Sequence, residues 1–139
     1  MKKILYYFLS CTWGILMTLC GAATAVVLCA RGYKPTKEGP CWCFVVGKNW
    51  GGVSLGPVML MSPANYAAGR TVKHEFGHSL QNCLWGPLFP FVIAIPSATR
   101  CWYRDINKKK GKKPTTDYDA IWFEGQATKW GNKYISHFE

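Results

Sequence analysis

Two histidines and a glutamate in His74-Glu75-Phe76-Gly77-His78 stand at the spacing that lets one face of a helix chelate a divalent cation. With His74 at 0° and 100° per residue, His78 falls at about 40°, and Gln81 and Asn82 lie on the same side. Val72, Phe76, Leu80 and Cys83 collect between about 160° and 240°, an apolar stripe suited to anchoring the helix. Neutral imidazole is a good ligand for Zn²⁺, which lowers the pKa of a bound water toward about 7. Glu75 would take the remaining proton as general base and return it to the leaving amine after attack on a peptide carbonyl. The competing reading makes His74 and His78 polar-face residues of an ordinary amphipathic helix. Against it, the chain has only three histidines, and two of them occupy the chelating spacing.

A third ligand decides between these readings. His137 is the third residue from the end of the sequence, where termini fray. Glu124, in IWFEGQATKWG, is the better candidate. On a final helix with Glu124 at 0°, Ile121, Ala127, Thr128 and Gly131 fall within about 60° of it. Three of these four are small, so this face can approach another helix closely enough for a carboxylate to reach His74 and His78. Bulky Trp122, Phe123 and Trp130 turn to other sides.

HEFGH with a downstream Glu-x-x-Ala resembles the gluzincin zinc metallopeptidases. More closely, GKNWGGVSLGP, HEFGHSLQNCLWGPLFPFVIAIPSA and DYDAIWFEGQA resemble a family of small, largely uncharacterised bacterial membrane proteins, over most of the chain. The resemblance implies His74, His78 and Glu124 as metal ligands and Glu75 as the catalytic base. It also implies an extended peptide substrate along a sheet edge beside the zinc helix, which residues 53 to 61 could supply, with packing against the membrane the alternative for apolar Val58, Met59, Leu60 and Met61. One departure weighs on catalysis more than on metal binding. Where the gluzincin pattern has Asp four residues after its Glu, this chain has Thr128, which can accept a hydrogen bond but adds no negative charge to orient a ligand histidine. Site-two proteases also place this motif in a membrane, but their later Asp-Gly pair has no counterpart here. Tyr118 and Tyr134 are candidates for stabilising an oxyanion.

The elements that must position these residues begin with an apolar run. Residues 4 to 30 carry no charge, and a bilayer needs only about 20 such residues, so they read as a retained transmembrane helix. A cleaved secretory signal is the alternative, disfavoured because the run continues past GAATA. A lipoprotein signal fits less well, because Leu19 and Leu28 stand before Cys20 and Cys29. The chain has 139 residues, 49% hydrophobic, with 17 Lys and Arg against 7 acids, which suits one small basic domain at an anionic membrane surface. Nucleic acid is not an expected partner, since no aromatic platform accompanies the basic run at 104–113. Seven cysteines form no readable disulfide framework. Cys41 and Cys43 share a strand face and read as a packed, reduced pair rather than a metal site.

Beyond the apolar run, the sequence predicts a polar linker over 31–40, then a β-hairpin turning near Asn49–Gly52. A short helix capped by Ser62 and Pro63 and interrupted at Gly69 follows, then the metal helix over Thr71–Leu84. Residues 84–103 are apolar but interrupted by Pro87, Pro90 and Pro96, which suits a dipping or membrane-surface segment that keeps all three ligands on one side. A solvated basic loop and a last helix over Tyr118–Tyr134, capped by Asp117 and Asp119, complete the chain. The expected class is therefore α+β: a transmembrane anchor over 1–30 and a zincin-like, membrane-associated domain over 31–139. The leading function is a membrane-bound zinc metallopeptidase acting on a peptide or protein substrate. The alternatives are a non-catalytic membrane protein with a structural zinc and a metal-free envelope adaptor.

Overall fold

A computed structural model describes residues 2–138, and the chain is a mixed α and β fold. The uncharged run does not form one helix. It forms α1 (Lys2–Cys11) and α2 (Ile15–Ala30), bent by 92°, and no single helix among the described residues is long and apolar enough to cross a membrane. The break is a tertiary event. Thr18 donates locally across the corner to the carbonyl of Ser10 at 2.6 Å, while Asn82 of a later helix docks on the corner and donates to the carbonyl of Gly14 at 3.3 Å, so local and tertiary bonds together satisfy carbonyls at the break. Hydropathy cannot register such a bend, because Thr12, Trp13 and Gly14 are as uncharged as their neighbours. Tyr6 of α1 is buried in the same core as Met59, Phe76 and Phe138.

Four strands follow: β1 (Thr36–Glu38), β2 (Cys41–Val45), β3 (Gly52–Leu55) and β4 (Val58–Met61), in the spatial order β1-β2-β4-β3. Two expectations are corrected here. The predicted linker contains β1, which pairs antiparallel with β2. The hairpin joins β3 to β4, with Leu55 opposite Val58, so the turn is Gly56–Pro57 rather than Asn49–Gly52. The turn between β1 and β2 is also Gly-Pro, at residues 39 and 40. Glycine at the first central position of a two-residue turn is the type II′ pattern, and proline's restricted φ suits the second. Residues 49–51 lie instead in the crossover between β2 and its parallel neighbour β4. β4 is buried at all four positions, so Val58–Met61 belong to the core, and β3 alone supplies the sheet's open edge on this side. Cys41 and Cys43 are fully buried in the core, and burial pushes their thiols up to about 11 and about 12.

The short helix α3 (Pro63–Ala68) ends at Gly69 with φ 69°. Ser62 occupies its N-cap position but donates to the carbonyl of Trp50 at 2.7 Å instead of capping. The metal-motif helix α4 spans Arg70–Trp85 and buries Val72 and Phe76 against the sheet-side core. Residues 86–109 form an unbroken helical path: a 3₁₀ turn at Gly86–Leu88, a π turn at Pro90–Ala94 and α5 (Ile95–Lys109). Pro87, Pro90 and Pro96 each sit in the first turn of their element, so the changes of helix type fall where proline removes a backbone N–H. The helix runs on through residues read from sequence as a basic loop. Lys108 and Lys109 fall in its last turn, where cations favour the helix dipole.

Arg100 donates to the Asp117 carbonyl at 2.9 Å and Arg104 to the Thr116 carbonyl at 2.8 Å, holding the following loop against α5. A 3₁₀ turn at Tyr118–Ala120 then leads into α6 (Trp122–Tyr134), four residues later than predicted. Neither Asp117 nor Asp119 caps a helix through its side chain.

Candidate metal centre

Glycines let α6 lie directly on α4. A Cβ added at Gly77 would collide with the carbonyl of Ala127, and one at Gly131 with the carbonyl of Lys73. Backbone therefore meets backbone on the face that carries His74 and His78, and Glu124, one turn from Ala127, reaches them. Gly77→Ala is expected to force the helices apart at an overpacking cost of about 1–3 kcal/mol, read as a lowered Tm together with weakened metal binding.

Three atoms converge at this crossing. The Nε2 atoms of His74 and His78 are 3.1 Å apart, and Glu124 Oε2 lies 3.0 Å from the first and 3.3 Å from the second. Donors around a tetrahedral ion with bonds of about 2.0–2.1 Å stand roughly 3.3 Å from one another, so the triangle is near the size of one tetrahedral face. The surrounding hydrogen bonds assign what the three atoms carry. Thr128 donates to Asp119 Oδ1 at 3.0 Å, so it accepts from His74 Nδ1 at 2.8 Å. Gln81 spends its amide N–H groups on the Phe123 carbonyl and Gln126 Oε1, which turns Gln81 Oε1 toward His78 Nδ1 at 2.8 Å. Both imidazoles therefore aim Nε2 lone pairs at a carboxylate oxygen. Such a cluster requires a positive charge at its centre, and it could hold a metal ion.

The other properties of the pocket point the same way. Glu124 is fully buried, and its Oε1 has no hydrogen-bond partner, an orphaned acceptor that a cation would satisfy. Burial raises its carboxyl pKa, but hydrogen bonds to His74 and His78 outweigh that and hold it at about 2. Burial pulls the His78 pKa down, while the Glu124 hydrogen bond and the charge of Glu75 more than reverse it.

Glu75 is 5% exposed, and burial lifts its carboxyl above the ordinary range against the opposing pull of His78 and His74. It lines a cavity of about 510 Å³ with His78 and Tyr118, walled by β3 residues Val53 and Leu55 and by Phe89, Ile93 and Ile95. The Glu75 side chain packs on Gly52, where any Cβ would lie 2.8 Å from Glu75 Oε1. Tyr118 faces His74 with ring centroids 5.8 Å apart. Burial, followed by the Glu124 charge, raises its phenol far above the ordinary value, so the hydroxyl keeps its proton.

His74, Glu75, His78, Glu124 and Tyr118 are thus brought together. Tyr134 is not at the cavity; its ring packs edge-on to His137, whose Nδ1 accepts from Lys2 Nζ at 2.9 Å. Sequence reasoning missed Asp119, nine residues from Thr128 and outside the helix, at a separation that has no helical or strand periodicity to reveal it. Comparison with family models, curated proteins and solved structures finds no match. The site's chemistry therefore rests on its own geometry.

Proposed function

We propose that this protein is a membrane-bound zinc metallopeptidase, with His74, His78 and Glu124 as ligands and Glu75 as general base. The observation that carries this reading is the meeting of three lone-pair donors beside a buried, proton-accepting carboxylate at the wall of an apolar cavity. Zinc suits a two-nitrogen, one-oxygen donor set, and sites with three protein ligands leave a coordination position for water or substrate, whereas structural sites close with four. Among the described residues no fourth His, Cys, Asp or Glu joins the cluster, which favours catalysis over the structural alternative.

Bound zinc would supply Lewis acidity and a water acidified toward about pH 7. Glu75, with its affinity for protons raised by burial, accepts the proton from the attacking water and delivers it to the leaving amine. The Tyr118 ring lies beside His74, and its proton-bearing hydroxyl is the proposed donor to a developing oxyanion. The open edge of β3 offers backbone groups to an extended peptide, and Val53, Leu55, Phe89 and Ile93 favour apolar side chains beside the scissile bond.

The membrane assignment rests on surface chemistry. Ile4, Phe8, Leu19 and Val26 of α1 and α2 are exposed, as are Phe91 (68%) and Trp102 (70%) near the cavity. These exposed apolar side chains are what supports a membrane-facing reading. Lysines at 108–110, 112 and 113 lie just past Trp102 and Tyr103, an aromatic and basic combination suited to anionic headgroups. With α2 spanning only 16 residues, about 24 Å of helix, the bent pair suits burial within part of a bilayer, and a bacterial cell membrane is the proposed setting.

Metal analysis of the purified full chain tests the proposal. One equivalent of zinc, removed by a chelator with loss of peptide cleavage and restored on re-addition, is expected. Absence of bound zinc after exposure to the free ion would refute the reading.

A further inference from the structure

We propose that Asp119, acting through the Thr128 hydroxyl, supplies the negative charge that orients His74 as a metal ligand. The proposal rests on the zinc reading above and concerns how the site is held. Zinc-ligating histidines generally donate their second ring N–H to a carboxylate or carbonyl, which fixes the tautomer and raises the basicity of the ligating nitrogen. The residue that accepts from His74 here is Thr128, at 2.8 Å, a neutral group. Its hydroxyl hydrogen is committed to Asp119 Oδ1 at 3.0 Å. An ionised carboxylate only accepts, so the order is fixed: His74 Nδ1–H donates to Thr128, and Thr128 donates to Asp119. Charge that a carboxylate at position 128 would supply directly arrives through one intervening hydroxyl.

Two further features position Asp119 for this role. A Cβ at Gly125 would lie 2.7 Å from the Asp119 carbonyl, so the absence of a side chain there lets the 3₁₀ turn lie against α6 with Asp119 beside Thr128. The second carboxylate oxygen of Asp119 lies 3.6 Å from Arg70 on α4, but that arginine side chain is 78% exposed and the pair is a weak surface contact. Asp119 caps no helix. Its hydrogen bond to Thr128 is the interaction directed at the site, and Asp119 is a positioning residue rather than a catalytic one.

The test is the zinc dissociation constant of the full chain, measured by competition with a chelating dye, with Tm recorded in parallel. Asp119→Asn and Thr128→Val are each expected to weaken zinc by about 10–100-fold, and the double substitution to cost little more than either alone, because both break one relay. Thr128→Ser keeps the hydroxyl and is expected to retain wild-type affinity. Thr128→Asp combined with Asp119→Asn, which moves the carboxylate next to His74, is expected to recover most of the loss, a rescue that a merely structural role for Asp119 would not produce. Arg70→Gln, which breaks only the surface pair, is expected to leave zinc affinity unchanged. If Asp119→Asn lowers Tm but leaves zinc affinity intact, or if Thr128→Asp fails to rescue it, the relay is overturned while the zinc site stands. A wild-type chain that binds no zinc overturns the zinc reading itself.

Discussion

Glu75→Gln is expected to leave one zinc bound per chain while slowing peptide cleavage by about 10²–10⁴-fold, the usual contribution of a positioned general base. The separation of the two effects follows from placement. Glu75 follows His74 directly in α4 but is not among the three atoms that converge; it packs on Gly52 and opens into the cavity. Glutamine keeps the shape and the packing on Gly52 but cannot take up a proton at neutral pH. Zinc content and steady-state kinetics on the same preparation provide the check. Unchanged cleavage would remove Glu75 from the mechanism, and loss of zinc would mean that its charge, rather than its basicity, serves the site.

Glu124→Gln is expected to weaken zinc by more than the roughly 100-fold upper range for losing a supporting outer partner, since it neutralises a ligand and replaces one oxygen by an N–H donor. The same substitution has a second, metal-independent consequence. Because the Glu124 carboxyl is held at about 2 against an ordinary 4.5, the unfolded chain binds more protons than the folded one between those values. The stabilisation is therefore complete above about 4.5, and it is lost as pH falls toward 2. Thermal melts of the metal-free protein across that window are expected to show a pH-dependent loss of Tm that the Gln variant lacks in part. An identical slope in both proteins would contradict the charged, histidine-paired state of Glu124.

Much of the site was legible because its signals are periodic. The i, i+4 spacing of His74 and His78 and the opposing stripe of Val72 and Phe76 belong to one helix, and a helix of this composition forms much as its own pattern directs. The small face of α6 around Glu124 was readable for the same reason. It anticipated the backbone contacts at Gly77 and Gly131, although no helical wheel could say which helix would receive it. The sheet was less legible. Its parallel pairing of β2 with β4 depends on which strands meet in space, and the Gly-Pro dipeptides at 39–40 and 56–57 were the turn signals that mattered.

By itself the sequence determined the mixed class, the i, i+4 histidine pair on α4, the glutamate beside it and the carboxylate able to meet the pair, because local periodicity and side-chain chemistry are carried residue by residue. Only the tertiary structure decided the 92° corner between α1 and α2, the hydrogen bonds that aim both Nε2 lone pairs inward, and the Asp119–Thr128–His74 chain. Each of these is a contact between segments far apart along the chain or in different elements. Their energies depend on distances and angles that exist only once α4, α6 and the turn between α5 and α6 have packed together.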